Sequence, residues 1–169
     1  METANPIEQV LAELHRADVR YIVVGGVAVV LHGYLRTTAD LDIVIKMEPE
    51  NIIRAVRTLQ GSGWRPHAPV DAETFADPRI RRTWVTEKGM TVFSLWNPSI
   101  PTLEVDIFVE EPFDFDEVYK RSIRVKLDVT QACIIGLDDL ISLKRQAGRL
   151  QDLADIEALH ELSDGNSDE

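Results

Sequence analysis

The segment Ala39-Asp40-Leu41-Asp42-Ile43-Val44-Ile45 constrains this chain more than any other. Its β-branched residues predict a strand from Leu41 to Lys46. Side chains alternate along a strand, so Asp40, Asp42 and Val44 point one way while Leu41, Ile43 and Ile45 point the other. Aspartate is disfavoured in strands, and two like charges about 6 to 7 Å apart in a partly buried place repel unless something positive lies between them. A divalent cation resolves that conflict, because magnesium takes one or two protein carboxylates and fills its shell with water and substrate phosphates. An isolated Asp-x-Asp pair also suits a loop-to-strand boundary with solvated acids, so the metal reading needs further support.

A second acidic strand supplies it. In Leu103-Glu104-Val105-Asp106-Ile107-Phe108, the apolar Leu103, Val105 and Ile107 share one face, and Glu104 and Asp106 project from the other. Beside the first strand, it would bring three carboxylates together, a combination that unpaired buried acids rarely show. Asp106 is the preferred third ligand because it sits deeper in the apolar run, with Glu104 as the alternative. The third element is Tyr21-Ile22-Val23-Val24-Gly25-Gly26-Val27-Ala28. A strand that ends in two glycines and enters a helix lets the backbone approach phosphates closely, although paired glycines also mark plain tight turns.

Around these motifs the chain reads as alternating helices and strands. Asn5-Pro6 caps a helix to about Ala17, Arg20 to Val24 is a buried strand, and Val27 to His32 a helix stopped by Gly33. Pro49 opens another helix that Gly61 and Gly63 end. Arg82 to Thr86 and Met90 to Trp96 read as a hairpin around Glu87-Lys88-Gly89. Thr102 to Val109 is a strand, Asp114 to Tyr119 a short helix, and Ser122 to Leu127 and Thr130 to Ile134 two further strands. From Leu137 two helices follow with a break near Gly148. The expected organisation is a core over residues 1–135, C-terminal helices over 136–162 packed on it, and a disordered acidic tail over 163–169.

Composition narrows the function. The chain has 169 residues, enough for one domain with a real core, and a net charge of -11. Proteins whose main task is gripping nucleic acid backbones usually carry a basic excess, so this balance weakens a large RNA substrate. It suits a nucleotide whose charge is carried by magnesium. No apolar stretch reaches the roughly 20 residues of a membrane span, and METANPIEQV lacks a signal-peptide pattern, so a cytoplasmic location without membrane contact is expected. Cys133 has no partner in the chain and reads as a buried inert thiol.

Gly25-Gly26, thirteen intervening residues, Asp40-x-Asp42 and a later Asp106 resemble the signature of the polymerase-beta-type nucleotidyltransferase superfamily. More narrowly, GGVAVVLHGYLRTTADLDIVI and DDLISLKRQAGRLQDLADIEAL resemble the minimal nucleotidyltransferases that include abortive-infection and toxin-antitoxin toxins. The resemblance runs from Tyr21 to Leu159, with little contribution between Trp64 and Pro101. It implies an α/β (α+β) nucleotidyltransferase fold, a short mixed sheet flanked by helices with a C-terminal helical pair closing the cleft.

The resemblance further implies that Asp40 and Asp42 hold magnesium on a nucleoside triphosphate such as ATP, while Asp106 ligates a second ion or takes the acceptor's proton; manganese could replace magnesium. Gly25 and Gly26 would then meet the phosphates, with Arg36 and Thr38 as further phosphate candidates. Lys144 stands at the edge of an apolar helix stripe, where a long stem reaches toward a triphosphate, and the resemblance implies the same contact. Asp152 and Asp155 match acidic positions of the final helix and would orient Lys144 or Arg149. The acceptor would be a transfer RNA end, a protein side chain or a small molecule such as an aminoglycoside, and an antitoxin partner would accompany a toxin. The contrasting reading is a non-catalytic nucleotide-binding or antitoxin-like protein of the same fold. His32 reads as a helix-end cap, Trp64, Trp84 and Trp96 as core or interface, and the basic clusters at 79–82 and 120–126 as solvated faces.

Overall fold

A computed structural model describes residues 5–165. Helix α1 (Pro6–Arg16) starts where the Asn5 side chain accepts from the Ile7 amide. The fully buried β1 (Tyr21–Val24) passes straight into α2 (Gly25–Leu31), and β2 (Asp40–Ile45) follows after a loop. Then come α3 (Pro49–Gly61), a two-residue β3 (Arg65–Pro66), a 3-10 turn (Ala72–Ala76) and α4 (Pro78–Lys88). The remainder is β4 (Val92–Trp96), β5 (Glu104–Phe108), α5 (Phe115–Arg121), β6 (Ile123–Lys126), β7 (Gln131–Ile134), α6 (Leu137–Ala147) and α7 (Leu150–Gly165).

The seven strands form one mixed sheet in the order β3-β4-β5-β2-β1-β7-β6. The two acidic strands, β2 and β5, are parallel neighbours at its centre. Antiparallel β1 on the other side of β2 brings Val24, the residue before the glycines, opposite Asp42. Helix α1 packs on α3 and β7, α3 on the 3-10 turn, and α2 on β1, β2 and α6, with α7 laid along α6. The expected mixed sheet with flanking helices and a C-terminal helical pair is therefore what forms. Among the described residues no helix is long and apolar enough to cross a membrane.

Two expectations change. The hairpin expected from Arg82 to Trp96 is half helix: residues 82–86 belong to α4, and only Val92–Trp96 is a strand. Its end signals belong to a helix. The Asp77 side chain accepts from the Arg79 amide, Pro78 lies in the first turn, and Gly89 closes the helix with φ 61° while its amide donates to the Trp84 carbonyl. The helix is held by one large anchor, Trp84, whose ring stacks on Phe93 at 5.4 Å and on Phe75 at 6.0 Å. The second change concerns the tail: Ser163, Asp164 and Gly165 continue α7, and residues 166–169 lie outside the described residues.

The join between β1 and β2 depends on a buried polar residue. Asn51 accepts from the Arg20 amide at 2.9 Å and donates to the Arg20 and Lys46 carbonyls, both at 3.0 Å. It is 1% exposed, so removing the amide strands the Arg20 amide and the Lys46 carbonyl, while the Arg20 carbonyl keeps the Lys46 amide at 3.2 Å. Asn51→Ala should lower the unfolding free energy by about 2 to 4 kcal/mol, read as a shift in the urea midpoint at unchanged slope.

Candidate active site

Register decides which carboxylates meet. Asp40 lies opposite Glu104 and Asp42 opposite Asp106, so four acids occupy one face of two adjacent strands. One oxygen each from Asp40, Glu104 and Asp106 lie within 4.8 Å of one another, a spacing a single cation can bridge. Asp40 and Asp106 were both expected in this group, and Glu104, the alternative ligand, joins them. Asp42 is outside that trio, because its carboxylate packs against the backbone of Gly25.

Asp106 is buried. Burial raises the proton affinity of its carboxyl, the Ser94 hydroxyl opposes that, and Asp40 and Glu104 add to it. Its Oδ1 is buried without a hydrogen-bond partner among the described residues. A buried anionic oxygen with no donor, beside two further carboxylates, fits a hard cation with oxygen ligands. Asp42 is pushed up to about 7, first by burial and then by Asp106 and Asp40, against the pull of Arg149 and Lys144.

These groups open onto a cleft of about 490 Å³ lined by Gly25, Asp40, Asp42, Asp106, Lys144 and Arg149, among others. Gly25 has φ +66°, and any side chain there would run into the Asp42 carboxylate. Gly26 serves another purpose: a Cβ would sit 2.8 Å from both Arg36 Nη2 and Thr38 Oγ1, so its bareness seats the loop before β2. Thr38 donates to the Asp40 carbonyl at 3.2 Å, and Arg36 Nη2 donates to Asp155 at 3.2 Å. Neither Arg36 nor Thr38 lines the cleft.

Lys144 is buried, with Nζ 2.9 Å from Asp155 and 3.3 Å from Asp152. Asp152 also accepts from Arg149 Nε at 2.8 Å and from the Arg149 amide at 3.2 Å. Burial works against the Asp152 charge, but Arg149 and Lys144 outweigh it and hold its carboxyl below the usual range. Arg36, Asp155, Lys144, Asp152 and Arg149 thus form a chain of alternating charge from the loop before β2 to the cleft wall. Sequence reasoning missed His67, whose Nε2 lies 3.0 Å from Glu104 Oε1. No periodicity or capping pattern marks it, since it follows a two-residue strand.

The raised Asp42 carboxyl makes a stability prediction for the metal-free protein. The fold binds this proton more tightly than the unfolded chain, so the stabilisation is complete below about pH 4 and lost as pH rises through about 7. Asp42→Asn should therefore be more stable than the parent at pH 8 by at least about 1 kcal/mol, with the gain shrinking toward pH 4, measured by urea denaturation in the presence of a chelator.

No curated protein matches the sequence significantly. Among solved structures, the chain is similar to the lincosamide antibiotic adenylyltransferase LnuA with lincomycin bound, at TM-score 0.63 and 16% identity over 95% of this chain and 98% of that one. It is similar to ANT(2")-Ia in complex with adenylyl-2"-tobramycin, at TM-score 0.56 and 12% identity over 92% and 91%. A third is an antigenic nucleotidyltransferase-like protein from Paracoccidioides brasiliensis, at TM-score 0.55 and 16% identity over 95% and 78%. At these identities the likeness is one of fold, the one expected from the Gly-Gly and Asp-x-Asp motifs. The family model "Nucleotidyltransferase of unknown function (DUF6036)" matches residues 2–164, nearly the whole chain, and the chain belongs to that nucleotidyltransferase family.

Proposed function

We propose that this protein transfers a nucleoside monophosphate from a nucleoside triphosphate to a hydroxyl acceptor in the cleft between the acidic strands and α6. The observation that carries the reading is the register of β2 on β5, which gathers four carboxylates, among them Asp106 with its Oδ1 lacking a donor among the described residues, across one cleft from Lys144 and Arg149. ATP is the donor best supported, since the first structural neighbour is an adenylyltransferase and the second holds an adenylylated antibiotic.

Asp40, Glu104 and Asp106 would hold the divalent ion, magnesium or manganese, with Asp42 available beside them. When bound, such an ion supplies Lewis-acid neutralisation of the charge that develops on the triphosphate. Lys144 and Arg149 offer cationic groups for the departing pyrophosphate, and Asp152 and Asp155 hold Lys144 in place. Gly25, bare of a side chain, lets the Asp42 carboxylate lie against the turn that opens α2 at the cleft wall. Arg36 and Thr38, committed to Asp155 and the Asp40 carbonyl, serve as positioning residues rather than phosphate ligands. Asp106 accepts the proton of the acceptor hydroxyl, helped by the proton affinity that burial confers. The acceptor oxygen then bonds to the α-phosphorus, the bond to the bridging oxygen breaks, and pyrophosphate leaves.

Pyrophosphate release from ATP and magnesium, measured with cell RNA, with protein extract and with antibiotics as acceptors, tests this reading. Release with at least one acceptor, abolished by chelator and reduced about 10²- to 10⁴-fold in Asp106→Asn, is the expected result. Binding of ATP without release under every acceptor would make the protein a nucleotide-binding module instead. The resemblance to the toxin branch supports placing the transfer in a toxin-antitoxin pair; expression of the active protein alone should then arrest growth, and Asp106→Asn should relieve it.

A further inference from the structure

Glu104 differs from its two companions in the carboxylate trio. Asp40 and Asp106 carry their carboxylates on short side chains, so the pairing of β2 with β5 largely fixes where those groups stand. Glu104 has one torsion more, and its side chain is 46% exposed. Left alone, such a glutamate spreads over many rotamers, and bringing it to a shared ion costs side-chain entropy.

His67 supplies the restraint. Its Nε2 lies 3.0 Å from Glu104 Oε1, and because an ionised carboxylate only accepts, that nitrogen carries the hydrogen. The carboxylate keeps its remaining lone pairs for a cation. The imidazole is itself held from two sides. The His67 amide donates to the Ser94 carbonyl at 3.0 Å, and Ser94 is the β4 residue opposite Asp106. The ring stacks on that of Trp96, with centroids 6.3 Å apart at 29°, and Trp96 is the β4 residue opposite Glu104. Pro66, whose φ is locked by its ring, precedes it. His67 therefore reaches the trio from the β4 side, behind Glu104, without lining the cleft. Ion pairs between side chains this open to solvent contribute little to folding, so the effect of the contact falls on the direction of Glu104 rather than on stability.

Resting on the ion assignment in the nucleotidyl-transfer reading, we propose that His67 is a positioning residue for Glu104, turning this carboxylate toward Asp40 and Asp106 and making the trio selective for a small ion, magnesium or manganese, over calcium. Partners that hydrogen-bond to a metal's ligands fix their orientation and set affinity through them. Magnesium demands near-octahedral oxygen geometry, whereas calcium accepts more oxygens in looser arrangements. A carboxylate free to swing therefore penalises the smaller ion more.

The test uses the intact chain without nucleotide. Manganese(II) binding is followed by the paramagnetic resonance signal of the free ion, and magnesium and calcium are read by competition. Asp106→Asn should abolish the tight manganese site. His67→Ala should weaken manganese and magnesium about 10- to 100-fold and calcium less, with the urea midpoint nearly unchanged. His67→Gln, whose amide nitrogen reaches about as far as Nε2, should recover most of the loss. In a Glu104→Ala background His67→Ala should cost nothing further, since its effect passes through Glu104. Parent-like affinity in His67→Ala, equal losses for magnesium and calcium, no recovery in His67→Gln, or a full further loss in the Glu104→Ala background overturns the positioning role. A parent chain that takes up no manganese overturns it too, and removes the ion from the proposed transfer. If the ion measurements come out as expected while no acceptor yields pyrophosphate, the role of His67 stands and the transfer reading falls.

Discussion

The parallel pairing of β2 with β5 sets Asp40 beside Glu104 and Asp42 beside Asp106, and most of the molecule can be understood as support for or response to that arrangement. Four like charges on one face of a sheet are costly in an interior environment. The cost is visible in the upward shifts of Asp42 and Asp106 and in the Asp106 oxygen that has no donor among the described residues. The opposite faces of the same strands supply the compensation. Leu41, Ile43, Val105 and Ile107 are fully buried, so the strands are held in register by the apolar core while their acidic edges remain strained.

The helical pair α6 and α7 answers that charge. Lys144 and Arg149 approach the acids from across the cleft, but each is shared with carboxylates of α7. A buried lysine alone would lose its proton or unfold the site. With Asp152 and Asp155 beside it, Lys144 keeps a partner, and Arg36 extends the connection to the loop that delivers Asp40. The cleft wall and the loop before the acidic strand are therefore parts of one ionic network.

Much of this was legible in the sequence because it rests on local rules. Alternation in Asp40-Leu41-Asp42 and Glu104-Val105-Asp106 revealed which side chains share a face, and Asn5-Pro6, Pro49 and Gly148 marked helix ends. What escaped depends on contacts distant in sequence. Asp77-Pro78 and Lys88-Gly89 fit a helix as well as a hairpin, and the choice fell to Trp84 packing on Phe75 and Phe93. Whether Glu104 or Asp42 stands closer to Asp40 and Asp106 depends on register and on the Gly25 contact, neither of which has a signature in the chain. His67 was invisible because the contact with Glu104 that ties it to the acids spans 37 residues of sequence.

The two margins of the sheet have a consequence for the life of the protein in a crowded solution. A strand edge with free amides and carbonyls can recruit a matching segment from another copy, and long flat edges are where aggregation starts. Here one margin is β3, only two residues long and carrying Pro66, which has no amide to offer. The other is β6, with Arg124 and Lys126 exposed along it. Brevity guards one border and positive charge the other, so a seven-stranded sheet can remain open without becoming a template for its own polymerisation.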